Sequence, residues 1–176
     1  NFVIMKKIIL LFAIVGATVF SSCEGPEGPR GVAGPNSEVF ELFNVNFGFN
    51  NDDGYNIYQS LNPMIADSDV LLIYRLVGTI DPQTPIWEQI PNTRYLDGGR
   101  EVHYDFDFSK EDFKIYAGGN FNLATEPDFI NNQTFRIVII PGYFSNKGNK
   151  SNIDLSDYNA VIKAYKIDES KINRIN

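Results

Sequence analysis

His103 is the only histidine in this 176-residue chain, and it sits two residues from Asp105 and four from Asp107. In an extended segment these three side chains project from one face, because successive side chains of a strand alternate. An imidazole flanked by carboxylates is the minimum equipment for a general base or a metal ligand. A carboxylate pair alone cleaves glycosides when a sugar cleft separates the acids by about 5–9.5 Å. The pattern here is Val102, Tyr104, Phe106 and Phe108 alternating with His103, Asp105 and Asp107. It describes a strand with one apolar and one solvated face, so a solubilising role for the polar row is the first expectation. The chain has no Gly-x-Ser-x-Gly elbow, no dinucleotide-binding Gly-x-Gly-x-x-Gly turn and no second cysteine for a redox pair.

Two further groups of residues have types suited to a ligand. Asn50-Asn51-Asp52-Asp53-Gly54 offers hard oxygens for calcium, with Asn51, Asp52 and Asp53 as the ligands. Phe49 occupies the first ligand position of the usual calcium loop and Ser60 the twelfth, so a plain polar turn is favoured. Trp87, Tyr95, Tyr55 and Tyr58 are candidates for an aromatic platform against a sugar or peptide. No cofactor is expected beyond this weak calcium candidate and a covalent lipid.

The single cysteine excludes an intrachain disulfide and any multi-cysteine zinc centre. Its setting is more informative than its number. Lys6 and Lys7 follow Met5, and an apolar run from Ile8 to Phe20 leads into Val19-Phe20-Ser21-Ser22-Cys23. A short basic region followed by about a dozen apolar residues is an export signal, too short for a comfortable membrane span. The last five residues resemble a bacterial lipobox, with Phe20 where leucine is usual. Residues 1–22 are therefore read as a lipoprotein signal peptide, with 1–4 upstream of the true start, and Cys23 as the site of diacylglyceryl and acyl attachment. Removing Lys6 and Lys7 with the leader takes the basic residues from 15 to 13 against 22 acids, a net charge of −9 over 154 residues. Each buried methylene of an attached lipid contributes about 0.8 kcal/mol of membrane affinity, so the acidic body need not touch lipid. The same acidity argues against nucleic acid as a partner.

Gly25, Gly28, Gly31 and Gly34 head four Gly-X-Y triplets, placing a collagen-like stem over residues 23–37. Four triplets favour a stiff spacer over a trimer, reaching roughly 35–40 Å at about 3.1 Å per residue. With this stem, the segments Trp87-Glu88-Gln89-Ile90-Pro91, Tyr104-Asp105-Phe106-Asp107-Phe108 and Asp154-Leu155-Ser156-Asp157-Tyr158-Asn159-Ala160-Val161 also carry a family likeness. The chain resembles small envelope lipoproteins of Bacteroidota-type bacteria, which join a lipobox cysteine and Gly-Pro stem to a β-rich domain of unknown function. The resemblance implies export and anchoring at the outer membrane, on its periplasmic or cell-surface side, and carries no activity.

From residue 38 the pattern is of strands. Val39, Glu41, Phe43, Val45, Phe47 and Phe49 occupy alternate positions opposite Asn44, Asn46 and Gly48. Val70–Ile80 and Thr134–Ile140 are dense in β-branched residues, and Ile86–Leu96 is interrupted by Pro91, which suits an edge or bulge. Phe113–Tyr116 reads as a short strand or a helical turn. Leu155, Tyr158, Val161, Ile162 and Tyr165 lie on one face of a helix over about 155–166, capped by Asp154 or Ser156. The expected architecture is mainly β: an antiparallel β-sandwich, Ig-like or jelly-roll-like, over 38–167 with one C-terminal α-helix, and then a fraying polar tail over 168–176. The expected function is non-enzymatic binding of an envelope protein or glycan, as an accessory subunit of a secretion, uptake or adhesion complex. The alternative is a small envelope hydrolase using His103 with Asp105 and Asp107.

Overall fold

The computed structural model describes residues 37–142 and 153–176, all within the compact unit Pro35–Asn176. The leader, Cys23, the Gly-X-Y stem and most of the loop following Pro141 lie outside the described residues.

Two five-stranded sheets face each other, as the alternating and dense apolar runs require. Sheet A has the order β10-β1-β9-β4-β5 and sheet B the order β2-β3-β8-β7-β6. Sheet A comprises β1 (Glu38–Val45), β4 (Val70–Asp81), β5 (Thr84–Ile90), β9 (Gln133–Ile140) and β10 (Asn173–Ile175). Sheet B comprises β2 (Gly48–Asn50), β3 (Gly54–Ser60), β6 (Asn92–Tyr95), β7 (Glu101–Phe108) and β8 (Asp112–Gly119). The mainly β sandwich with one helix among the described residues is thus as expected. All pairings are antiparallel except β1 with β10.

Both faces are covered over Leu71–Tyr74 of β4 and along β9, where the runs are densest. On β9, Phe135, Ile137 and Ile139 enter the sandwich interior, while Val138 and Ile140 turn to the outside of sheet A. There the helix α1 (Tyr158–Tyr165) packs through Tyr158 and Val161 onto Leu72, Tyr74 and Val138. The Tyr74 hydroxyl donates to the Leu155 carbonyl at 2.6 Å, which ties the approach to the helix onto β4. Burial of the ring pushes the Tyr74 hydroxyl well above the usual tyrosine range, with Asp157 and Asp154 adding to the shift.

A second polar intrusion lies within the sandwich itself. The Arg75 side chain points inward, with its guanidinium carbon 4.3 Å from the centre of the Tyr104 ring. Its Nε and one terminal nitrogen donate to Gln133 Oε1 at 2.9 and 2.7 Å. Burial lowers the guanidinium pKa, because a charge in a low-dielectric interior is costly.

Four boundaries differ from the sequence expectation. The alternation from Val39 to Phe49 is not one strand: a bulge between Leu42 and Val45, with Asn44 at φ 59°, resets its phase. Phe40 and Leu42 therefore face the interior before the bulge, and Val45 and Phe47 after it, while β2 has already passed to sheet B. Pro91 marks the point where the chain leaves β5 in sheet A for β6 in sheet B. Helix α1 starts later than 155. Asp157, not Asp154 or Ser156, caps it by accepting from the Asn159 and Ala160 amides. Asp154 instead closes a turn onto Ser156.

The fourth difference is the segment 168–176, which is no fraying tail. Its 3₁₀ turn Glu169–Lys171 leads into β10, which pairs with β1, and Ile175 packs against the core. The domain thus continues past 167 to the last strand. Three charged residues fix this arrangement. Glu41 stands directly opposite Arg136 on β9 and Arg174 on β10. Its two carboxylate oxygens accept from their Nε atoms at 3.1 and 3.0 Å. The Arg136 guanidinium lies 4.3 Å from the Trp87 ring centre and also donates to the Tyr158 hydroxyl and to Glu169.

Candidate functional site

The two outer faces of the sandwich differ in cover. Sheet A carries α1 and the following Ile167 on its outside, while β10 extends its edge. The outward residues of sheet B are largely polar and solvent-accessible, because Val102, Tyr104, Phe113, Ile115 and Ala117 take the inward positions of β7 and β8.

That alternation places His103, Asp105 and Asp107 in one exposed row, as the sequence predicted. Opposite them on β8 stand Gly118, Tyr116 and Lys114. A Cβ at Gly118 would lie 2.3 Å from His103 Nε2 and 2.6 Å from Cε1, so the imidazole reaches across the space the glycine leaves. The Tyr116 hydroxyl donates to Asp107 Oδ2 at 2.7 Å. Lys114 Nζ donates to Asp53 Oδ2 at 2.9 Å. That hydrogen bond holds the Asp53 carboxyl below the usual carboxylate range and raises Lys114. His103 and Asp105 border a shallow depression of about 270 Å³, shared with Pro91, Asn92, Thr93 and Tyr104.

The hydrogen bond to Asp107 pushes the Tyr116 hydroxyl up to about 12, because ionisation would place two anions side by side. The phenol keeps its proton in the fold beyond the pH at which the unfolded chain releases it. This contact therefore stabilises the fold fully below about pH 10, and the contribution fades as pH rises towards 12. In Asp107→Asn the Tyr116 transition in an ultraviolet titration should move down towards the ordinary tyrosine range. An unchanged transition would exclude Asp107 as the cause.

The four aromatic residues considered as one platform do not assemble. Trp87 lies on the covered side of sheet A, beneath Arg136 and 5.6 Å from the Tyr158 ring. Tyr55 packs against the sandwich core, with its ring edge-on to Phe49 at 5.0 Å. Tyr58 and Tyr95 are 57% and 78% exposed and share the open face of sheet B. They stand on β3 and β6, with β8 and β7 between them. Three strand spacings of about 4.8 Å separate them across the sheet, and their rows meet β7 at Asp107 and Glu101, roughly 20 Å apart along the strand at about 3.4 Å per residue.

The turn considered for calcium is held by the chain's own groups. Asn50 Oδ1 accepts from the Asp52 and Asp53 amides at 3.0 and 2.6 Å, and Asp53 is paired with Lys114. Among the described residues no group of three or more His, Cys, Asp or Glu is placed to hold a metal ion. No described helix is long and apolar enough to cross a membrane.

Sequence reasoning overlooked Lys114, Tyr116 and Gly118, although the apolar residues Phe113, Ile115 and Ala117 alternate with polar ones there. It also missed a cleft of about 850 Å³ at the start of β1, between residues 60–63, the end of α1 and β10. Val39, Phe40, Leu61, Tyr165, Ile167 and Ile175 are among its lining residues. They come from four separated stretches of chain, so no local motif marks the cleft. No family model, curated protein or solved structure matches this chain.

Proposed function

We propose that this chain is a non-enzymatic, outer-membrane-anchored lipoprotein that binds an envelope protein or glycan through the open face of sheet B. The observation that supports the binding surface is the contrast between the two sheets. The outside of sheet A is covered by α1 and by Ile167 just after it, whereas sheet B presents Tyr58, Tyr95, Tyr116, His103, Asp105 and Asp107 outward. Rigid tyrosines combined with carboxylates suit recognition, since their rings supply contact area at low entropic cost and the acids set orientation and selectivity. The anchor reading rests on Lys6, Lys7, the apolar run and Cys23, and on the Gly-Pro stem that follows.

One experiment with two arms tests both parts. Crosslinking in native membranes should capture a partner with the unaltered protein and lose it in a variant carrying Tyr58→Ala, Asp105→Lys and Asp107→Lys. Equal capture by both proteins would exclude the sheet B face. In parallel, Cys23→Ser should move the protein from the membrane to the soluble fraction, and full retention would refute the lipid anchor.

A further inference from the structure

We infer that the β1–β10 pair, riveted by Arg174, Glu41 and Arg136, is a mechanical clamp that makes the domain resist a pull between its first and last strands. The two strands are parallel neighbours, with Phe40 opposite Asn173 and Leu42 opposite Ile175. A pull on the start of β1 and the end of β10 therefore runs along the strands in opposite directions. Their hydrogen bonds are loaded together, in shear. By contrast, a pull applied at one end of an antiparallel pair acts across the strands and opens the bonds one pair at a time.

Three features strengthen the grip. β1 is not an edge strand: β9 holds its other side from Glu38↔Ile139 to Val45↔Gln133. The carboxylate of Glu41 is bonded to both neighbours in a single row across the three strands, to Arg174 on one side and Arg136 on the other. A slip of β1 by one residue would break both contacts. It would also turn Leu42, which is 1% exposed, out of the interior, because side chains alternate faces along a strand. The inference is independent of which partner sheet B binds.

The test is single-molecule force spectroscopy on the full chain. Handles at Ser37 and Asn176 load the clamp. Handles at Glu101 and Asn120, beside the paired ends of β7 and β8 at Val102↔Gly119, open an antiparallel pair from one end. Rupture along the first axis should require clearly more force than along the second, since only the first loads its strand bonds together. Arg174→Ala should lower the force along the first axis and leave the second unchanged. Equal forces on the two axes would overturn the inference. So would an Arg174→Ala effect of the same size on both, which would mark the arginine as a general stabiliser only.

Discussion

Glu41→Ala is expected to destabilise the domain by about 3–5 kcal/mol, measured by denaturant or thermal unfolding. The Glu41 side chain is only 4% exposed, and the Arg136 side chain only 13%. Removing the carboxylate leaves Arg136 partly buried between the sheet and α1, with Glu169 its one remaining salt-bridge partner among the described residues. The loss arises mainly from this buried charge, now compensated by a half-exposed partner alone, and less from the attraction that is deleted. Arg174→Ala provides the contrast. Its side chain is 64% exposed, so solvent already screens the pair, and about 1 kcal/mol or less should be lost. If the two variants prove equally mild, Glu41 is better solvated than its burial implies. If they prove equally severe, β10 rather than the buried charge is what matters.

Phe135→Ala should have an effect of comparable size, about 3–5 kcal/mol, because a large cavity would open where the structure has least freedom to collapse. Phe135 is fully buried on β9, the central strand of sheet A, and meets Phe47 edge-on with ring centres 6.0 Å apart. Its register partners are Leu42 on β1 and Arg75 on β4, so three strands border the gap. Tyr95→Ala, at a side chain 78% exposed on the edge strand β6, should fall within about 0.5 kcal/mol of the unaltered protein. A similar loss at both positions would show that the sandwich interior is not the dominant source of stability.

The architecture was legible in the sequence wherever both faces of a strand, or one whole face, are dictated by burial. Leu71–Tyr74, at the heart of the run Val70–Ile80, and Thr134–Ile140 have apolar residues on both faces because the interior and α1 cover them. Val102 to Phe108 alternates because only one face is covered, and that same alternation correctly placed His103, Asp105 and Asp107 together. The phase change at Asn44 was not visible, because a left-handed backbone at a single asparagine leaves the surrounding alternation intact to the eye. The helix start was misjudged because Asp154, Ser156 and Asp157 are all competent caps, and only packing selects among them. The C-terminal strand escaped notice because three residues carry no periodicity. Ile175 and Arg174 acquire meaning only beside β1. Trp87 and Tyr55 could not be separated from Tyr58 and Tyr95 by residue type. Exposure, decided by distant strands and the helix, distinguishes them.

The placement of β1 also has a consequence for how the chain reaches its native state. Glu41 and Arg136 are 95 residues apart, and β10 lies later still. A chain emerging from its N-terminus, whether from a ribosome or a membrane channel, therefore presents β1 long before either neighbour exists. Hairpins such as β7–β8 can form as they appear, but sheet A cannot close until nearly the whole domain is free. Such long-range closure makes folding slow and late, with the first strand held open in the meantime. Closure of sheet A therefore waits on β10, the most C-terminal of the described strands, however early the hairpins of sheet B have formed.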